Sequence, residues 1–203
     1  MELFPEKLVD LDLNIHRTSS LLGQGGQGVV FKTRDPNIAI KVATNSNGAP
    51  ISDPEQISKF KKKLNLLKLL PLPAESNVSM PVVLLRDHVG YVMQFMGDML
   101  PFSSFFPSGS ESDSAVGSQE IPEWLGNVKD EQALKYMLHY LKSGGLRRRL
   151  IALYKFASNL ARLHARGLVY GDVSPNNAYI SQDQEYSEVW LIDPDNIRFE
   201  VSK

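Results

Sequence analysis

The sequence predicts an α+β fold in which a five-stranded antiparallel sheet carrying one helix precedes a mainly helical second part. Three observations predict it. Short β-type runs alternate with turn residues from Leu21 to Val42 and again from Val82 to Phe95. Apolar residues recur at helical spacing through Ile57, Phe60, Leu64 and Leu67. Two longer amphipathic stretches follow, through Leu134, Met137, Leu138 and Leu141, then through Leu146, Leu150, Leu153, Ala157, Leu160 and His164.

Each element has local punctuation. Leu21-Leu22, Val29-Val30-Phe31 and Ile38-Ala39-Ile40 are separated by Gly23 to Gly28 and by Asp35-Pro36-Asn37, both suited to tight reversals. Ser52-Asp53-Pro54-Glu55 has the spacing of a capping box with an early proline, so a helix is expected to start there and to end before Pro71. Val82 to Leu85 and Tyr91 to Phe95 flank a turn at Arg86 to Gly90, and the first unit closes near Met96. Ser103 to Glu120 holds seven serines and reads as a solvated loop without fixed structure. Gly144-Gly145 divides the two later helices, Gly167 ends the second, and Ala178 to Ile180 with Val189 to Ile192 are two further β runs. Two units are therefore expected, residues 1–96 and 97–203.

Composition narrows the function. With 22 Lys+Arg against 23 Asp+Glu, the formal charge of -1 offers no general attraction to nucleic acid or anionic lipid, so an anionic ligand must be held locally. Cysteine is absent, which excludes disulfides and thiolate metal sites and fits a cytoplasmic setting. The acidic, proline-broken start at Met1 to Lys7 is unlike a secretory signal, and no run approaches the ~18 apolar residues of a membrane span.

Three segments carry chemistry. Gly23-Gln24-Gly25-Gly26-Gln27-Gly28-Val29-Val30 sits between two strands, where glycines let backbone amides close on phosphate oxygens; a hairpin without ligand fits the same residues. Thirteen residues on, Ile38-Ala39-Ile40-Lys41 sets a lysine in an apolar strand, costly to bury unless an anion meets it, although a solvent-facing lysine is the plainer alternative. Asp172, Asn177 five residues later, and Asp193 just after a hydrophobic strand suit one proton acceptor and two magnesium ligands; as turn residues they would need no ligand.

In that order, these segments resemble a eukaryotic-type protein kinase, over nearly the whole chain from Leu21 to Phe199. The resemblance implies two lobes with ATP and Mg2+ between them. It implies that Gly23, Gly25, Gly28, Val30, Ala39 and Lys41 bind the nucleotide, with Met93 as gatekeeper and Gln94-Phe95-Met96 as the hinge that meets adenine. Asp172 and Lys41 would be catalytic and Asn177 and Asp193 would hold metal. The narrower likeness is to atypical bacterial kinase-like proteins with Gly171-Asp172 and Asp193-x-Asp195.

The departures matter as much. Tyr170-Gly171 stands where kinases carry His-Arg, so control by activation-loop phosphorylation is not expected, and Gly-Asp also resembles small-molecule kinases. Asp195 replaces a glycine and reads either as a turn-capping residue or as a further metal ligand. The helix that should give Lys41 a glutamate has Lys63 at that position, and Glu55 lies on another azimuth, leaving the partner of Lys41 unassigned. Lys59 to Lys63 read as a solvated face. Ten residues follow Asp193, from Pro194 to Lys203, so an incomplete second lobe is expected, exposing the apolar face from Leu150 to Leu160 or covering it with a partner chain. The expected function is transfer of the ATP γ-phosphate to a Ser/Thr hydroxyl of an unidentified protein substrate. A non-catalytic nucleotide-binding scaffold and a small-molecule kinase are the alternatives.

Overall fold

Residues 4–26, 28–106 and 121–200 are described by a computed structural model. Six strands, β1 (Lys7–Val9), β2 (Ile15–Gly25), β3 (Gly28–Thr33), β4 (Ile38–Val42), β5 (Pro81–Leu84) and β6 (Gly90–Gln94), form one antiparallel sheet ordered β1-β2-β3-β4-β6-β5. The α+β class is as expected, but the sheet has one strand more than the five predicted. The addition is β1, whose Leu8 is buried against Ile40, Val42, Leu85 and Val92. A three-residue strand offers too short a run for its period to be read. Strand β2 also begins well before Leu21, because its polar stretch Arg17 to Ser20 hides the alternation.

Helix α1 (Pro54–Lys68) starts on Asp53, whose carboxylate accepts from the Gln56 amide at 2.9 Å; the cap is thus one residue later than the Ser52 of the predicted box. Ile57, Leu64 and Leu67 face inward at helical spacing. Phe60 stacks on Tyr91 of β6, with ring centroids 6.4 Å apart.

Among its described residues the second part contains the two expected helices, α2 (Glu131–Lys142) and α3 (Gly145–His164). Five short strands accompany them: β7 (Met99–Pro101), β8 (Leu168–Tyr170), β9 (Ala178–Ser181), β10 (Val189–Leu191) and β11 (Ile197–Phe199). They pair as β10-β9-β7 and β11-β8. The serine-rich loop is ordered at its start, where Phe102–Phe105 make one 3-10 turn and Phe102 packs on Phe156; residues 107–120 lie outside the described residues.

The N-terminal part of the apolar stripe on α3 faces outward. Leu146, Leu150 and Leu153 are more than half exposed, while Arg148, Ala152, Asn159 and Leu163 are buried. Of the face expected to be exposed, Leu150 and Leu153 are so, whereas Leu160 packs on the core. Polar residues occupy the buried side because backbone amide and carbonyl groups meet them there. Arg148 donates to the Ser181 carbonyl at 2.6 Å, and Asn159 Nδ2 donates to the Asn77 carbonyl at 2.8 Å. Asn159 Oδ1 accepts from the Asn77 amide at 3.1 Å, closing a reciprocal pair.

That pair has a consequence for placement. Residues 77–79 are stitched to β10 by Leu191 N to Asn77 O and Ser79 N to Leu191 O. One apolar cluster then joins Leu64, Leu67, Leu84 and Tyr91 to Leu163, Leu168, Tyr170 and Leu191, so both parts of the chain share a core. Among the described residues no helix is long and apolar enough to cross a membrane. Substituting Asn159 by Ala strands the Asn77 amide, while the Asn77 carbonyl keeps Leu191 N, and should cost about 2 kcal/mol, read as a lower urea midpoint with an unchanged slope.

Candidate functional site

Strand register builds one wall of the site. Gly23 pairs with Val30, Val30 with Lys41 and Lys41 with Tyr91, a single row across four strands; Ala39 pairs with Met93. Side chains alternate along a strand, so Val30, Ala39, Lys41, Tyr91 and Met93 share one face, opposite the cluster around Ile40 and Val42. The expected nucleotide-binding residues of the sheet thus lie together.

Gly25 pairs with Gly28 at the hairpin end. A Cβ on Gly28, at φ 152°, would run into the Val42 carbonyl, whereas one on Gly23 or Gly25 would meet nothing within 4 Å. Gly28 is therefore demanded by packing, while Gly23 and Gly25 leave the exposed tip bare.

Met93 packs on the shared core, Gln94 is exposed, and the Phe95 amide donates to the Asn37 carbonyl at 2.8 Å. The Met96 carbonyl accepts from Met99 N at 3.3 Å, so two hinge backbone groups are engaged within the chain. Pro36, Asn37, Gln94, Phe95, Met96 and Trp190 line a cavity of about 420 Å³ whose walls do not include Val30 or Ala39.

The opposite wall comes from the two loops around β8 and β10. Asn177 Nδ2 donates to Asp172 Oδ2 at 2.8 Å and to the Asp172 carbonyl at 3.1 Å, so residues five apart are locked together and the amide oxygen of Asn177 is left for a cation. The Ile192 amide donates to the Asn177 carbonyl at 3.0 Å, setting Asp193 beside that pair. Asp193 itself takes a left-handed conformation, φ 54° and ψ 60°, tolerated by Asp better than by most side chains. The Tyr170 hydroxyl donates to the Ile192 carbonyl at 2.6 Å and the Gly171 amide to the Asn196 carbonyl at 2.9 Å. A Cβ on Gly171 would sit 3.2 Å from that carbonyl oxygen, a tight contact before Asp172.

The two walls meet at Lys41. Its ammonium lies 2.7 Å from Asp193 Oδ1 and 3.8 Å from Asp195 Oδ1, with the residue 8% exposed. Asp195 Oδ2 in turn lies 3.7 Å from Lys63 of α1. Glu55, the acid on that helix, pairs instead with Lys59 at 2.8 Å, both exposed. Burial, reinforced by Asp193 and Asp195, holds the Tyr91 hydroxyl far above its usual range, and burial with Asp193, Asp172 and Asp195 does the same to Tyr170. Both phenols stay neutral, leaving the lysines to balance the carboxylates.

Sequence reasoning placed Lys41, Asp172, Asn177 and Asp193 in one site, and these four residues are brought together. It left the partner of Lys41 blank and missed Asn196, whose side chain reaches Asp172 Oδ2 at 3.5 Å. The Asp193-x-Asp195 spacing beside an acid-poor helix was the available signal for the first. Nothing local announced the second.

No protein-family model matches the chain, and no curated protein matches it in sequence. Solved structures do. Vaccinia related kinase 3 aligns with 97% of this chain at 16% identity and a TM-score of 0.50, and the chain spans 53% of that protein's length. The PknI kinase domain of Mycobacterium tuberculosis aligns with 95% of it at 13% identity and a TM-score of 0.54, the chain spanning 64% of that domain. The chain therefore has a protein-kinase-like fold. Gly28→Ala should cost about 2 kcal/mol or more in thermal unfolding through its clash with Val42, while Gly23→Ala should stay within about 0.5 kcal/mol.

Proposed function

We propose that the chain binds ATP with Mg2+ between lobes formed by residues 1–96 and 97–203 and transfers the γ-phosphate to a Ser or Thr hydroxyl. One observation carries the reading: the buried Lys41 ammonium touches Asp193, beside the hydrogen-bonded pair Asp172–Asn177. Phosphoryl transfer needs positioning and charge neutralisation more than covalent help, and these four groups suit that demand.

The donor set fits magnesium. It comprises the Asp193 carboxylate and the Asn177 amide oxygen, and among the described residues no three His, Cys, Asp or Glu side chains gather into a cage. Mg2+ is commonly held by one or two protein groups with phosphate oxygens and water completing the shell. When bound, the ion would neutralise charge on the transferring phosphate. Lys41 would orient the phosphates, the exposed glycine hairpin would cover them with backbone amides, and Asp172 would take the acceptor's proton, its carboxylate held by Asn177. Val30, Ala39 and Met93 would bound the nucleotide on the sheet side, with Gln94, Phe95 and Met96 along the adenine edge.

A second reading, a nucleotide-binding module without turnover, draws on the absence of an acid on α1 facing Lys41, where Lys63 stands. Gly171-Asp172 keeps a small-molecule acceptor as a variant of the first.

Mg-ATP at about 100 times its Kd should raise Tm by about 5 °C or more, and Lys41→Met should remove the shift. Asp193→Asn, which suits the same backbone conformation and leaves Asp195 as an anion near Lys41, should lower Tm without nucleotide and lose the magnesium dependence of that shift. Asp172→Asn should keep binding while lowering radiolabel transfer to serine and threonine by about 10²-fold or more. Binding by the wild type without transfer assigns the module reading, and no shift with any nucleotide overturns both.

A further inference from the structure

We infer that Asp195 is the positioning carboxylate for Lys41, doing from the loop what an acid on α1 would do from the helix, and that Lys63 is its counter-ion. The inference rests on the nucleotide site proposed above and adds a residue to it.

Four observations lead there. First, α1 presents a cation to the site: Lys63 lies 3.7 Å from Asp195 Oδ2, and Glu55 is spent on Lys59 near the helix start. Second, Asp195 lies between two lysines, its Oδ1 3.8 Å from the Lys41 ammonium. Third, Asp195 Oδ1 and Lys41 Nζ are both buried and among the described residues neither has a hydrogen-bond partner, so ion pairing orients them. Fourth, the 3-10 turn Pro194–Asn196 packs on α1 and places Asp195 by backbone, with Asn196 N bonded to the Asp193 carbonyl at 3.2 Å.

The sign of each charge decides the assignment. With Lys63 on the helix, a second lysine at 41 would be repelled unless a carboxylate stood between them, and Asp195 is that carboxylate. Asp193 touches Lys41 more closely, yet Asp193 is also the carboxylate suited to a cation, and one carboxylate serving both gives less to each. Asp195 gives the ammonium a second anion. It also binds α1 to the loop, so the helix and Lys41 are aligned through one side chain. A turn-capping role does not account for a carboxylate facing two lysines, and a metal-ligand role leaves Lys63 without purpose.

The deciding experiment is a charge transplant. Asp195→Asn, nearly isosteric, should weaken Mg-ATP binding by about tenfold, the low end for losing a group that orients a direct ligand. Lys63→Glu alone sets a second acid beside Asp195 and should also weaken it. Lys63→Glu with Asp195→Asn restores one carboxylate near Lys41, now from the helix, and should regain most of the lost affinity. A double variant no better than Asp195→Asn overturns the inference and favours direct metal ligation. A second arm needs no nucleotide. In thermal unfolding, Lys63→Gln and Asp195→Asn should be non-additive, the double variant melting above the sum of the single shifts, and additive shifts overturn the pairing. Should the wild type fail to bind Mg-ATP, the proposed function falls and this second arm still decides the Lys63–Asp195 pair.

Discussion

A buried ammonium organises this molecule. Lys41 projects from a central strand onto a face shared with Val30, Ala39 and Tyr91, where a cation without an anion would be costly. The anions come from about 150 residues away in sequence, so the first sheet and the loop after β10 must dock for Lys41 to be tolerated. Pairing of this kind adds little net stability once desolvation is counted. Its effect is positional, since it selects the arrangement in which Asp193 and Lys41 face each other.

That arrangement is braced from behind. The strands β8 and β11 pair from Leu168 to Tyr170, the Tyr170 hydroxyl holds the Ile192 carbonyl, and Gly171 meets Asn196. Asp172 and Asp193 are therefore carried on two loops that hydrogen-bond to each other on both sides of the site. The left-handed backbone at Asp193 is an outcome of this bracing. Behind the loops, the reciprocal Asn77–Asn159 pair fixes α3 against the segment leading into β5. Arg148 and Asn159 thus share the buried side of α3 with Ala152 and Leu163.

Short-range features were legible in the residues. The glycine hairpin, the β3–β4 and β5–β6 hairpins and the Asp53-capped α1 each follow from neighbours within a few positions, where turn and cap chemistry acts. The site's four principal residues were legible too, because a lysine in an apolar strand and a carboxylate-amide-carboxylate order are costly to arrange without purpose. Less could be read wherever a partner lay far along the chain. Strand β7 exists because β9 accepts it, β11 because β8 does, and neither three-residue segment has a period of its own.

Two features mark the boundary most clearly. The stripe through Leu146, Leu150 and Leu153 gives α3 an apolar side, but periodicity names a stripe without saying whether the chain covers it, and the core formed instead on Ala152, Asn159 and Leu163. Asp195 in isolation is an ordinary turn residue; it became the bridge between Lys41 and Lys63 only when α1 packed against its turn. Propensity, capping and desolvation act on each residue where it stands, so the order of residues was enough to set the local elements and which charged groups would need partners. Tertiary structure alone decided which partners they found, because a charge is satisfied by whatever lies within a few ångströms, and only the folded chain sets those distances.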